Sequence, residues 1–500
     1  MVMKFHLITF ITFTSTASLL SEIWQIKNQA EWEKNIQSSK GIIIQDNVVS
    51  PREKAGHFKT KLKKFKSKKF LQSLIINQSP LWQNWEEVPR VGPSNLKDAP
   101  VFLVKGPQDY WIFGRYGVPK PQKGQKPKTF HSEDAKLPGF DIPLKTTKHE
   151  NQFDAPGGLE PGLGGYHAWQ SRDMNNWVHH GCVTPGFARW VTTAEQVGGT
   201  TFIYYDFPND QDPHLFLDED LTDGKPGKNM GIALHDPSHG SDCAVIRDLK
   251  GSFHIIFEDW SPINARTHSW DSPLAGHAVS PNGISNFEIV EPAVDHRTKP
   301  TGETAEYLHP HWVKEDPKRF KTSIAKYQVH EPEQNAYGDW AALSIGGQYY
   351  LFCDFHPAHK PIRIGWFTSS SLDQPFEFCG EVGQGHPDPD IGFAEGKFYL
   401  ITQTANDYIS SGPWVEKVEA RVGVDTTNNR EIDQWTKWSE MKESYDYIKG
   451  FSKQIKKTPA KLNLADLPAG FGFQIEVKLN DSTSNASKPL IESLNLSFND

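Results

Sequence analysis

Short apolar segments separated by tight turns recur along the middle of the chain. In each unit an apolar segment leads to a turn with glycine or a charged residue, and an aromatic-rich segment follows. The five units are DAPVFLVKGPQDYWIFG (98–114), AEQVGGTTFIYYD (194–206), DCAVIRDLKGSFHIIFEDW (242–260), DWAALSIGGQYYLFCDF (339–355) and PDIGFAEGKFYLITQT (389–404). Their period of two predicts five β-hairpins.

A third strand follows several of these hairpins. The segments HAWQSRDMNNW (167–177), GHAVSPNGISNF (276–287) and GWFTSSSLDQPF (365–376) each combine a strand, a polar turn and an aromatic residue. A hairpin with a companion strand, repeated every 50 to 95 residues or so, is typical of propeller blades, with a β-sandwich as the alternative. We therefore predict an all-β fold with a five-bladed β-propeller over residues 91–412. Long insertions near 117–165 and 288–330 are expected to lie over one face.

The two ends of the chain differ from the middle. Residues 1–21 combine Lys4, a short apolar stretch and small residues, which is the pattern of a cleaved signal peptide and predicts a periplasmic or secreted protein. Residues 22–90 are rich in lysine and are predicted to be a mostly helical or irregular extension. Residues 413–500, with ARVGVDTTNNREIDQW and FGFQIEVKLN, are predicted to form a small C-terminal β-domain.

Charge limits the classes of partner. The chain has 53 Lys and Arg against 61 Asp and Glu, a net charge of −8. The segment 52–69 holds nine of the bases and one acid, so the rest of the chain carries −16. An acidic body argues against a nucleic-acid-binding surface, and the basic segment is interpreted as a solvated helix face. No later stretch is long and apolar enough for a membrane anchor. The four cysteines leave disulfides and free thiols both open.

Histidine and aspartate concentrate in the turns before the predicted inner strands. LHDPSHGSDCAV, EDWSPINARTHSWDSPLAGHA, CDFHPAHKPIRIGW and GQGHPDPD are the densest segments. Strand starts converge on the axis of a propeller, so these side chains are expected to share one funnel. The candidate catalytic residues are His239, Asp242, His386, Asp98 and Asp339. The candidate substrate-binding residues are Arg266, Arg363, Glu195, Trp260 and His235. Arginine can bind a carboxylate or sulfate with two hydrogen bonds, and tryptophan can stack on a sugar ring.

A five-bladed propeller whose strands open with aspartate resembles glycoside hydrolase families 43 and 117 over about residues 90–410. KDAP with Asp98 looks like the base-bearing strand of those families, and SDCAV with Asp242 looks like the strand with a second aspartate. His386 stands where family 43 often has a central histidine near an ion. The usual Glu-Gly-Pro acid motif is absent, and YGDWAAL with Asp339 stands in the fourth unit instead. The Lys-, Asn- and Ile-rich chain with its His-rich turns is also similar to the oligosaccharide dehydratases of marine flavobacterial ulvan degradation.

Three functions follow from these observations. The first is an exported lyase (hydro-lyase) of polysaccharide degradation that dehydrates the terminal uronate of an anionic, ulvan-type oligosaccharide to a 4,5-unsaturated sugar. In that reaction Arg or protonated His neutralises the carboxylate and a base of near-neutral pKa removes the C5 proton. The second is an exo-acting glycoside hydrolase of the family 43 or 117 kind, which needs a pair of carboxylates. The third is a glycan-binding propeller without catalysis. The sequence establishes no cofactor and leaves a bound divalent cation open.

Overall fold

The computed structural model describes most of the chain from residue 22 onwards. The described residues are 22–79, 86–87, 92–93, 96–116, 134–135, 137–146, 151–156, 165–188, 190–207, 212–235, 242–259, 274–295, 336–356, 363–382, 388–402, 409–412, 418–480 and 489–499. The predicted signal peptide lies outside them. Within these ranges strands dominate, and the all-β prediction is confirmed.

Five sheets make up the middle of the chain. Sheet 1 holds β8 (Leu96–Gly106), β9 (Asp109–Tyr116), β10 (Asp134–Ala135), β11 (Leu144–Thr146), β12 (Gln152–Asp154), β13 (Tyr166–Ser171) and β14 (Trp177–Cys182). Sheet 2 holds β15 (Val191–Val197), β16 (Thr200–Asp206), β17 (Pro213–Asp218) and β18 (Lys228–Ile232). Sheet 3 holds β19 (Ala244–Arg247), β20 (Phe253–Glu258), β21 (Leu274–Ser280) and β22 (Glu288–Asp295).

Two further sheets recruit strands from distant parts of the chain. Sheet 4 holds β23 (Ala336–Ile345), β24 (Gln348–His356), β25 (Arg363–Ser369) and β26 (Glu377–Val382), extended by β33 (Ser444–Tyr447) and β34 (Gln454–Thr458). Sheet 5 holds β27 (Asp390–Ala394), β28 (Lys397–Ile401) and β29 (Ile409–Gly412), closed by β7 (Glu86–Glu87). The last sheet is thus completed by a strand that precedes the first sheet in the chain.

The first strands of the five sheets form a closed ring. Strand β8 contacts β15, β15 contacts β19, β19 contacts β23, β23 contacts β27, and β27 contacts β8 again. The first two strands of each sheet are the five hairpins predicted from the period of two. Apolar and aromatic side chains pack between neighbouring sheets, as where Trp340 and Phe367 join residues of sheet 3 in one buried cluster. The predicted β-propeller arrangement is confirmed.

The two ends of the chain build one sheet of twelve strands, called here the terminal sheet. From the N-terminal side it takes β1 (Glu22–Ile26), β2 (Ile36–Lys40), β3 (Ile42–Gln45), β4 (Val48–Pro51), β5 (Ala55–Thr60) and β6 (Lys63–Ser79). From the C-terminal side it takes β30 (Val418–Asp425), β31 (Gln434–Trp435), β32 (Ser439–Glu440), β35 (Ala460–Asn463), β36 (Gly470–Asn480) and β37 (Leu490–Asn499). The predicted N-terminal extension and C-terminal β-domain are therefore paired with each other.

The predicted helical character of residues 22–90 is wrong. One helix of seven residues, α1 (Gln29–Asn35), is described there, capped by the Asn28 side chain and anchored by the buried Trp32. The lysine-rich run instead begins β6, whose second half has buried and partly buried side chains. Long-range pairing of β6 with β37, β36 and β35 outweighs the low strand preference of lysine.

Two smaller predictions concern membranes and cysteines. Among the described residues, no helix is long and apolar enough to cross a bilayer. All four cysteines are free, and Cys182, Cys243 and Cys353 are buried. Of the two alternatives, disulfides or free thiols, the structure has free thiols that lie in or beside strands.

Candidate functional site

Aspartate occupies the same position at the start of four inner strands. The sequences are DAPV from Asp98, DCAV from Asp242, DWAA from Asp339 and DPDI from Asp388, whereas sheet 2 has TTAE from Thr192. The backbones of Asp242, Asp339 and Asp388 have φ angles of 43°, 51° and 56°. This left-handed conformation is uncommon outside glycine, and non-glycine residues held in it cluster at functional sites.

A β-bulge directs Asp339 out of its strand. Gly338 pairs with Asp354 and Ala341 pairs with Phe352, so two residues of β23 stand opposite one residue of β24. Such bulges re-aim side chains beside active sites. The backbone N–H of the second bulged residue, Trp340, donates to the carbonyl of Asp242 at 3.2 Å, which ties the starts of β19 and β23 together.

Three aspartates meet at this end of sheets 4 and 5. One carboxylate oxygen from each of Asp339, Asp354 and Asp388 lies within 4.8 Å of the other two. Asp354, near the end of β24 and 3% exposed, accepts a hydrogen bond from the backbone N–H of Asp388 at 2.9 Å. Asp339 and Asp388 keep partial contact with solvent. The cluster therefore combines one buried carboxylate, that of Asp354, with two carboxylates that solvent can reach, those of Asp339 and Asp388.

The electrostatics of the cluster favour one shared proton. Burial raises the pKa of Asp339 well above its ordinary value, and the carboxylates of Asp388, Asp242, Asp354 and Glu258 raise it further. Two unit charges about 4.8 Å apart repel by roughly 3.5 kcal/mol at an effective dielectric constant of 20. A proton on Asp339 relieves this repulsion. The arrangement thus supplies a carboxylic acid beside carboxylates, which is the combination that acid–base catalysis uses.

The same oxygens define where a cation would bind. Calcium and magnesium take carboxylate oxygens as ligands, and Asp339, Asp354 and Asp388 offer one oxygen each. A divalent cation would replace the shared proton and lower the pKa of the cluster. Within the described part of the chain, these three aspartates are the group of side chains that could hold the cation that the sequence leaves open.

Glu195 does not belong to this site, and its predicted role in substrate binding is wrong. Its side chain is 0% exposed and accepts hydrogen bonds from the backbone N–H and the hydroxyl of Ser452, at 3.1 and 2.6 Å. Burial raises the pKa of Glu195, and Ser452 and Lys453 oppose that rise. The residue is enclosed because the segment before β34 runs against β15 and excludes solvent from it.

Lys453 is a buried cation next to the inner strands. It is 2% exposed and its ammonium donates to the Thr193 hydroxyl at 2.7 Å. Its charge acts on Glu195 and on Asp390. The carboxylate of Asp390 accepts from the backbone N–H groups of Phe102 and Ile391 and so joins the starts of β27 and β8. Lys453 thus places a positive charge near two buried acids, Glu195 and Asp390, beside the inner strands.

The other predicted site residues fall into three groups. Asp242 and Asp339 are brought together, as the electrostatic effect of one on the other shows. His235 is 67% exposed in its side chain and bonded to Asp212 at 3.0 Å, while Arg363 begins β25 with Glu381 at 3.7 Å. The side chain of Asp98, whose backbone lies in β8, and the residues His239, His386, Arg266 and Trp260 lie outside the described part.

Asp354 and Asp388 belong to the His- and Asp-rich segments CDFHPAHKPIRIGW and GQGHPDPD, but they were not among the candidate catalytic residues. Asp388 repeats the position of Asp242 and Asp339 in the sequence. The contact of Asp354 with the other two aspartates depends on the pairing of β23 with β24, which the sequence does not show.

A separate cavity of about 420 Å³ lies at the opposite end of the sheets. It is lined by the β8–β9 and β27–β28 turns and by the segment 442–447. Tyr110 and Glu395 bond to each other across it at 2.7 Å. None of the predicted site residues lines this cavity, so we place the candidate site at the aspartate cluster.

Comparisons with known proteins give weak similarities of fold. An α-L-arabinanase from Cellvibrio cellulosa, solved with arabinohexaose, is 11% identical and has a TM-score of 0.38, covering 64% of this chain and 93% of that chain. A thermostable family-43 glycoside hydrolase is 9% identical with a TM-score of 0.38, covering 77% and 98%. An endo-arabinase from Bacteroides thetaiotaomicron is 8% identical with a TM-score of 0.38, covering 66% and 98%. No protein-family model and no curated protein matches this chain. Similarities at this level carry no argument about activity.

Proposed function

We propose that this protein is a carbohydrate-active enzyme, an exo-acting glycoside hydrolase that uses the aspartate cluster at the start of the inner strands. The observation that carries the proposal is Asp339, a carboxyl with a raised pKa surrounded by further carboxylates. Hydrolysis of a glycosidic bond needs one carboxylic acid to protonate the leaving oxygen and one carboxylate as base or nucleophile. We also propose that each of the five sheets is one blade and that the protein is exported.

The roles follow from exposure and protonation. Asp339 serves as the general acid because it holds a proton and keeps contact with solvent. Asp242, whose charge acts on Asp339 from the neighbouring strand, serves as the base or nucleophile. Asp354 positions Asp388 through the hydrogen bond to its backbone N–H.

Dehydration of a terminal uronate, the first reading of the sequence, needs a different set of groups. Its imidazole and guanidinium candidates His239, His386 and Arg266 lie outside the described residues. The carboxylates of the described residues match the groups that hydrolysis needs, and for this reason we propose hydrolysis first.

The test is product analysis on oligosaccharides with defined neutral or uronate non-reducing ends. Hydrolysis adds 18 Da to the sum of the fragments, whereas dehydration removes 18 Da and creates absorbance near 232 nm, both by general chemistry. Asp339→Asn should lower kcat by about 10² or more. Asp218→Asn is the matched control, because Asp218 is also buried with a pKa raised to about 6 but interacts with Lys105 at the far end of β8. Loss of 18 Da, or full activity of Asp339→Asn, would overturn the proposal.

A further inference from the structure

The basic segment 52–69 is a strand surface and not a helix face. It contains β5 and the start of β6, which both pair with β36 in the terminal sheet. Lys64, Lys66 and Lys68 are exposed, and all three lie within the first six residues of β6. The sequence concentrates a charge of +8 there, against −16 in the rest of the chain.

Part of the positive charge of this segment is used within the protein, since the Lys59 ammonium lies over the Trp435 ring and the Lys63 ammonium over the Phe65 ring. Lys63 and Lys69 both lie 3.9 Å from Glu22, at the outer limit of an ion pair. No ion pair of Lys64, Lys66 or Lys68 is recorded among the described residues, and exposed pairs contribute little in any case. A row of like charges on neighbouring residues lowers stability, so the fold gains nothing from it.

The backbone of β6 is irregular where these exposed lysines lie. Residues Lys64 and Lys69 pair with Gly472 and Gly470, so five steps of β6 stand opposite two steps of β36. The extra residues leave the hydrogen-bonded ladder, and the glycines opposite provide no side chains to cover them. Irregular strands of this kind resist edge pairing, which removes a second strand as the occupant.

Aromatic rings flank the cations. Phe70 is 50% exposed, and the Lys68 ammonium lies 5.5 Å from the ring centre of Phe471. An aromatic face beside a row of ammonium groups suits a polymer that offers apolar C–H surfaces together with regularly spaced anions. Sulfated or uronate-containing polysaccharides have both.

We propose that the basic segment binds an anionic polysaccharide and holds the polymer on the enzyme while the aspartate cluster acts on a chain end. The choice of a glycan as the polymer rests on the proposed function. The described residues of the aspartate cluster are acidic, whereas the basic segment has the sign of charge that attracts an anionic chain. Binding and cleavage are thus assigned to different parts of the fold.

The test separates binding from catalysis. Affinity is measured for chondroitin sulfate, for neutral arabinoxylan, for duplex DNA and for vesicles of anionic phospholipid, with wild type and with the triple variant Lys64→Gln, Lys66→Gln, Lys68→Gln. The control triple variant Lys225→Gln, Lys250→Gln, Lys449→Gln removes the same charge from exposed lysines elsewhere. We expect the first triple variant to bind chondroitin sulfate about tenfold more weakly or worse, with steep salt dependence in wild type.

The control should keep wild-type affinity, and both variants should keep the wild-type rate on a short oligosaccharide. An equal loss in the control would show a general charge effect and overturn the proposal. Tighter binding of DNA or vesicles than of chondroitin sulfate would also overturn it, in favour of those partners. Absence of turnover with intact, lysine-dependent binding would refute the hydrolase assignment and leave the binding surface standing.

Discussion

Replacing Asp339 by asparagine should make the protein more stable and less active. The carboxyl of Asp339 has a raised pKa because burial and neighbouring carboxylates disfavour its charged form. The folded chain therefore keeps a proton that the unfolded chain loses near pH 3.9. Asparagine resembles the protonated carboxyl in shape and carries no charge at any pH, so the variant escapes this cost.

The magnitude follows from proton linkage. Between the unfolded and the folded pKa of Asp339 the native state binds one more proton, so wild-type stability falls by about 1.4 kcal/mol per pH unit as pH rises. The contribution is fully present below about pH 4 and is lost as pH rises through the folded pKa. Between about pH 4 and the folded pKa of Asp339, the stability advantage of the variant over wild type should grow by up to about 1.4 kcal/mol per pH unit. Near pH 3.5 the difference should approach zero.

The measurement is urea unfolding, followed by tryptophan fluorescence between pH 3.5 and pH 8. Asp218→Asn is again the comparison, because burial raises the pKa of Asp218 to about 6 and its stability difference should follow the same sign with pH. The two variants separate in activity, since only Asp339 belongs to the cluster. A stability difference for Asp339→Asn that does not grow with pH would refute the shared-proton description. A stabilised variant with near-normal kcat would refute the role of Asp339 as the general acid.

Two further predictions concern the protein outside the cluster. Lys453→Met should lower the free energy of unfolding by about 3 kcal/mol or more, because buried Glu195 and Asp390 lose a nearby buried cation. Chemical unfolding measures this change, and an unchanged midpoint of unfolding would contradict the prediction. Reducing agents should leave the melting temperature unchanged, since all four cysteines are free thiols; a drop of several degrees on adding dithiothreitol would show a disulfide instead.

Local pattern was enough to predict the propeller hairpins. Their strands are short apolar runs that are buried at nearly every position, and glycine and charged residues mark their turns, so neighbouring residues carry the information. The aspartates before the inner strands were also visible, because Asp242 and Asp339 repeat one position. What the sequence determined by itself is therefore the all-β class, the units of the propeller and two acids of the candidate site.

Long-range pairing decided the rest. The lysine-rich start of β6 has no strand signal of its own and becomes a strand because β36, some 400 residues later, pairs with it. In the sequence, Glu195 resembles a residue of the funnel. In the structure it is buried and accepts a hydrogen bond from the Ser452 hydroxyl. Asp354 joins Asp339 and Asp388 only through the register of β23 on β24 and the meeting of two sheets. Contacts between residues far apart in the chain depend on the closure of the whole ring, and no local pattern of side chains records that closure.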